Sequence, residues 1–152
     1  MAFITDAPWT QLTYKIIGLA MEVHNELGPG HREYVYHNAM VAKLKQTDSD
    51  FQDEPDCPVM LDDKTVVGGN RPDLVVEQTV IVELKARSHL MTKDEQAQVI
   101  GYFATLPECP VALLINFGRP RLEHHRLLPP KKLQAYRREK WGRATDAADN
   151  SG

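Results

Sequence analysis

The sequence predicts an α/β fold (an α+β mixed sheet flanked by helices), and three observations carry that expectation. Two helical-period segments come first and short β runs grouped in pairs follow. After a further helical segment comes VALLIN at 111–116, an all-apolar run of the kind buried on both faces inside a covered sheet. No Gly-rich turn follows a first strand, so a dinucleotide-binding unit is not expected.

Each element has a local reason. Leu12, Ile16, Ile17, Ala20 and Met21 recur at helical spacing, which predicts a helix from about Thr10 to Leu27 with Gly28 as its stop. Pro29 and Gly30 break the chain before a second helix over roughly Arg32 to Lys45, striped by Val35, Ala39, Met40 and Leu44. The acidic stretch from Thr47 to Asp56 reads as a loop. CPVML and KTVVGG form a hairpin around Asp62-Asp63-Lys64, and DLVVE with VIVELKA forms another. Thr92 and Glu95 make a capping box that opens a helix to about Leu106. RLEHHRLL is a further strand. PPKKLQAYRREKW begins on proline with helical spacing through Leu133, Tyr136 and Lys140, a terminal helix before the polar, frayed TDAADNSG.

With 152 residues, 42% hydrophobic and 26% charged, the chain supports one core. Its longest apolar run, near Val111 to Phe117, is too short to span a bilayer, and MAFITDAPWTQLTYK lacks the basic start and apolar centre of a secretory signal. Cys57 and Cys109 are far apart with no CxxC, which argues against zinc or an iron–sulfur cluster and for reduced thiols in a cytoplasmic protein. No membrane partner is expected. Between Arg119 and Arg143 nine Lys or Arg face two acids, Glu123 and Glu139, so the rest of the chain carries about −10. That basic flank suits a phosphate backbone, or else forms a solvated helix face.

The chemistry concentrates in RPDLVVEQTVIVELKA, residues 71–86. Glu83 and Lys85, at i and i+2, share one face of a strand. Burying both without partners would cost several kcal/mol, a cost that a divalent cation on the carboxylate would offset. Asp73 joins them only in one register. A three-residue loop at Glu77-Gln78-Thr79 sets Val76 opposite Val80 and Asp73 opposite Glu83, whereas a two-residue loop turns Asp73 to the wrong face. The three-residue loop, or a bulge with the same effect, is the expectation.

Pro72-Asp73 followed by Glu83-x-Lys85 resembles the PD-(D/E)XK signature of the restriction-endonuclease-like nuclease superfamily. Gln98 and Tyr102 resemble the QxxxY helix motif of its RecB-type subgroup. Gly30-x-x-Glu33-x-x-Tyr36, with MEVHNELGPG, VIVELKA and LLINFGRPRLE, is similar to the small prokaryotic GxxExxY family over roughly residues 10–128. The resemblance implies an αβββαβ core over residues 1–128 and leaves 129–152 as a basic C-terminal helix and tail. It implies that Asp73, Glu83 and the Leu84 carbonyl bind Mg²⁺, or Mn²⁺, with Glu33 assisting directly or through water. Lys85 would orient or activate water, and Gln98 and Tyr102 would orient the lysine or the phosphate. The partner implied is nucleic acid, DNA ahead of RNA, with a homodimer or protein partner adding surface.

Each residue also has an ordinary reading. Glu33 can be a helix-start acid, Lys85 a snorkelling strand end, and Gln98 with Tyr102 plain helix-face residues. His124 and His125, adjacent on a strand, face opposite ways and cannot chelate together, so they receive no role. Trp9 and Trp141 are assigned to packing. The leading expectation is a Mg²⁺-dependent nuclease. The competing one is a catalytically silent module that binds nucleic acid or protein.

Overall fold

The computed structural model describes residues 7–133. Helix α1 (Thr10–Leu27) buries Thr13, Ile16, Ile17, Ala20, Val23 and His24, and it ends where Gly28 turns to φ 68° and donates its N–H to the His24 carbonyl. A side chain is disfavoured in that left-handed conformation, which is why glycine terminates the helix. Gly30, at φ 107°, completes the reversal. Helix α2 (Glu33–Lys45) starts one residue later than expected, with Arg32 extended at its N-cap.

Among the described residues seven strands follow: β1 (Phe51–Asp53), β2 (Cys57–Met60), β3 (Val66–Asn70), β4 (Leu74–Val76), β5 (Val80–Lys85), β6 (Val111–Asn116) and β7 (Glu123–Leu127). Five make a mixed sheet in the order β1-β4-β5-β6-β7, in which β5 and β6 are parallel and the other neighbours antiparallel. Helix α3 (Lys93–Gly101) provides the crossover that a parallel pair requires. The chain thus runs helix, three antiparallel strands, helix and parallel strand, with a fifth strand closing the edge. β2 and β3 pair as a separate hairpin that leaves Val59, Met60, Val66 and Val67 exposed.

Two expectations need correction. The acidic stretch from Thr47 to Asp56 is not all loop, because Phe51–Asp53 pairs with Leu74–Val76 at the sheet edge. Three residues carry too little periodicity to announce a strand, and their partner lies more than twenty positions along the chain. Helix α3 stops at Gly101 instead of near Leu106 and tightens into a 3₁₀ turn over Tyr102–Ala104. The Tyr102 carbonyl there accepts from both Thr105 N and Leu106 N just ahead of Pro107. The capping box is present, with Thr92 and Glu95 exchanging hydrogen bonds of 2.9 and 3.1 Å. Of the terminal segment that begins at Pro129, residues 129–133 fall among the described residues, and 131–133 are helical. The remainder, with Trp141 and the polar tail, lies outside them.

The sheet has an apolar layer on each side. One packs Leu74, Val76, Val80, Val82, Leu84, Val111, Leu113 and Ile115 against α1 and α2. The other packs Val75, Ile81, Ala112 and Leu114 against Val99, Tyr102, Phe103 and Leu106. Cys57 and Cys109 are both buried thiols on that second side. No helix among the described residues is long and apolar enough to cross a membrane.

A strand-end carboxylate cluster as candidate active site

The turn between β4 and β5 decides the site. Val76 pairs with Val80, so the loop is Glu77-Gln78-Thr79, with Glu77 and Gln78 left-handed at φ 54° and 53°. Leu74 then opposes Val82, and one step further brings Asp73 opposite Glu83. The Asp73 N–H donates to Glu83 Oε1 at 3.2 Å, and Leu84 N–H donates to Asp73 Oδ2 at 2.7 Å. The Asp73 carboxylate thus stands where a backbone carbonyl would accept, in the plane of the sheet and at the end of the strand.

Glu83 and Lys85 are 6% and 9% exposed, on the side of the sheet that α3 covers. Buried charges need partners, and every polar side-chain atom buried among the described residues has one. Lys85 Nζ lies 3.7 Å from Glu83 Oε2 and donates to Gln98 Oε1 at 3.4 Å. The Tyr102 hydroxyl donates to Glu83 Oε2 at 3.2 Å. Gln98 and Tyr102 are four residues apart, so α3 and its 3₁₀ extension present both to the same strand end. Glu33, first residue of α2 and half-buried, feels the charges of Lys85, Asp73, Arg87 and His37. Asp73, Glu83, Lys85, Gln98 and Tyr102 are therefore joined by direct contacts, and Glu33 through its field at the mouth.

The electrostatics are strained toward neutral acids. Burial first, and then the Asp73 carboxylate, push Glu83 up to about 7 against the pull of Lys85. Burial likewise raises Glu33, with Lys85 opposing. Burial and the adjacent Glu83 raise Tyr102, which therefore stays a hydroxyl donor near neutral pH. Asp73 and Glu83, with Glu33 nearby, offer hard carboxylate oxygens of the kind a divalent cation such as Mg²⁺ takes.

The structure also shows what the sequence reading missed. His37, one turn after Glu33 on α2, bridges two acids: Nδ1 is 3.3 Å from Asp73 Oδ1 and Nε2 is 2.6 Å from Asp53 Oδ1. Burial works against its charge, but the hydrogen bond to Asp53 and the field of Asp73 outweigh burial and raise its pKa. The i+4 spacing from Glu33 was the available signal. Asp53 had none, because it arrives only through the pairing of β1 with β4. His37, Asp53 and Glu54 also lie close enough, within 4.8 Å, to hold a metal ion. An ion there would replace the His37–Asp53 hydrogen bond.

Tyr36 takes a different place from Glu33. It is fully buried, stacked on Phe117 at 4.6 Å, and its hydroxyl donates to the Gly28 carbonyl at 2.5 Å while accepting from His31 N–H at 3.2 Å. It bolts α2 to the glycine break and so sets where Glu33 begins. His125 pairs with Glu123 at 2.6 Å on β7, two strands across the sheet from β5. A surface concavity of about 380 Å³ between α1 and β7, lined by Tyr14, Ile17, Gly18, Met21, His124 and Arg126, contains none of the strand-end residues.

A comparison with curated proteins finds no match, and neither does one with solved structures. A family model does match, that of the PD-(D/E)XK nuclease superfamily, over residues 10–127, a span that takes in Glu33, the Asp73/Glu83/Lys85 strand end, Gln98 and Tyr102. With that match over most of its length, and with the signature acids meeting in the fold, the chain belongs to the PD-(D/E)XK nuclease superfamily.

Proposed function

We propose that the protein is a divalent-cation-dependent nuclease that hydrolyses phosphodiester bonds, of DNA ahead of RNA, and that it is a GxxExxY member of its superfamily through Gly30, Glu33 and Tyr36. The observation that carries this reading is the buried meeting of Asp73, Glu83 and Lys85 at the end of β5. Asp73, Glu83 and the Leu84 carbonyl would hold Mg²⁺ or Mn²⁺, with Glu33 assisting. When bound, such a cation lowers the pKa of water and offsets charge on the phosphoryl group.

The chain's own residues do the rest. Lys85, held by Gln98 and beside Glu83, positions the attacking water. Tyr102 fixes one oxygen of Glu83 and leaves the other turned toward Asp73. His37 and the Leu84 N–H hold both oxygens of Asp73, which sets that carboxylate in one orientation. The buried thiols fit a reducing, cytoplasmic setting.

The test is incubation of purified protein with single- and double-stranded DNA and RNA, with Mg²⁺, with Mn²⁺ and with chelator. Cleavage that requires the cation and disappears in both Glu83→Ala and Lys85→Ala is expected. Activity that survives both substitutions refutes the mechanism, and binding without cleavage on every substrate identifies a silent module.

A further inference from the structure

Asn116, at the end of β6, is fully buried and polar in an otherwise apolar strand. Its side chain makes four hydrogen bonds. Oδ1 accepts from Arg87 N–H at 2.9 Å and Gly118 N–H at 3.1 Å, and Nδ2 donates to the His89 carbonyl and to Glu123 Oε1, each at 3.1 Å. Glu123 Oε2 in turn accepts from Met91 N–H at 2.9 Å. The segment from Arg87 to Met91 is thereby tied at three backbone points to one buried amide and its neighbour. Gly118 packs so tightly on it that a Cβ would lie 2.4 Å from the Arg87 carbonyl oxygen. An ordinary surface connection does not need a fully buried amide to hold it, so the hub has to be explained by what the loop displays.

What it displays is guanidinium. Arg87 is exposed, two residues past Lys85, and its Nε lies 3.7 Å from Glu95 at the start of α3. Its charge also reaches Glu33 at the start of α2. Arg87 thus stands two residues past the strand end, beside the start of α3. Arg119 is held beside it, donating from Nη1 to the Ser88 carbonyl at 3.2 Å while its own carbonyl meets His24 Nε2 at 2.9 Å. A loose contact of 3.7 Å with an exposed Arg contributes little to stability, so the Glu95 contact does not account for so rigid a mount. Arg126, by contrast, is engaged in packing, over the rings of Trp9 and Tyr14 and bonded to Thr13.

We propose that Arg87 and Arg119 form a phosphate-binding rim at the mouth of the strand-end site, taking the sugar–phosphate backbone beside the reacting bond. The choice of nucleic acid as ligand rests on the nuclease reading. The guanidinium fork matches phosphate oxygens in a way an ammonium does not, and a rigid loop holds that fork ready.

The experiment measures binding of fluorescein-labelled single- and double-stranded oligonucleotides, DNA and RNA, in Ca²⁺ across a salt series, in parallel with cleavage in Mg²⁺. Arg87→Ala and Arg119→Ala should each weaken binding by roughly 3–10-fold and lower the slope of log K against log salt by about 0.7–0.9. Arg87→Lys should keep the slope and lose part of the affinity. Lys45→Gln, at the opposite end of α2 from Glu33, removes the same charge and should change neither. Melting temperatures identify any variant that fails to fold, and Arg119→Gln, which also removes the charge, replaces Arg119→Ala if that one does. Wild-type affinity and slope in both alanine variants overturn the rim while leaving wild-type cleavage, and so the nuclease reading, intact. Rim-dependent binding with no wild-type cleavage supports the rim and overturns the nuclease reading. A wild-type protein that binds no nucleic acid overturns the rim.

Discussion

The two faces of β5 differ in kind. Toward α1 and α2 the strand presents Val80, Val82 and Leu84, all fully buried in one apolar cluster. Toward α3 it presents Ile81, then Glu83 and Lys85, which are also buried but ionisable. The same six residues therefore serve stability on one side and hold charge against its preference on the other. The contrast teaches that burial alone does not mark a core. What separates the faces is whether the enclosed atoms are satisfied by packing or by one another.

The sharpest way to break the contrast is to truncate adjacent residues that point to opposite faces. Lys85→Ala should lower cleavage by roughly 10²–10⁴-fold, measured as kcat/KM, while the protein still unfolds cooperatively. Leu84→Ala should lower unfolding free energy by about 2–5 kcal/mol in urea titrations, since it opens a cavity in the α1/α2 layer. If Lys85→Ala destabilised the fold as much as Leu84→Ala, the two faces would not differ as described.

Glu83→Gln tests the charge itself. The folded-state pKa of Glu83 stands at about 7, above the ordinary 4.5. Its contribution to stability is therefore fully present below 4.5 and is lost as pH rises through about 7. Cation-free wild type should lose stability across that window. Glu83→Gln should flatten the loss and, at alkaline pH, be more stable by roughly 1–3 kcal/mol, though inactive. Thermal melts at several pH values in chelator read this directly, and a variant less stable than wild type at pH 8 would contradict it.

Two smaller effects refine the picture. Tyr36→Phe keeps the stack on Phe117 but loses the hydroxyl's bonds to Gly28 and His31, which should cost about 1–2 kcal/mol in urea titrations. Gln98→Ala, on an exposed position, should leave the melting temperature near that of wild type and slow cleavage by roughly tenfold, the equivalent of one hydrogen bond.

Much of the fold and part of the candidate site were legible in the sequence. The helix stop at Gly28, the Thr92–Glu95 capping box, both hairpins and the apolar β6 follow from local chemistry, because each depends on neighbours within a few positions. The three-residue loop before β5 was likewise readable, and with it the opposition of Asp73 and Glu83, since side chains alternate along a strand.

Tertiary structure alone decided the rest. β1 exists because Phe51 reaches the apolar layer beside β4, and only then does Asp53 meet His37. Within the Gly30-x-x-Glu33-x-x-Tyr36 spacing, the fold divides the work. Glu33 starts α2 within the field of Lys85 and Asp73, and Tyr36 turns inward to hold the glycine break. Asn116 reads as one polar residue ending an apolar run, yet it organises a loop that begins 29 positions earlier. The physical reason is common to all three. Period and capping are encoded between neighbours, whereas a hydrogen bond between distant side chains depends on how layers pack, which no short window of sequence contains.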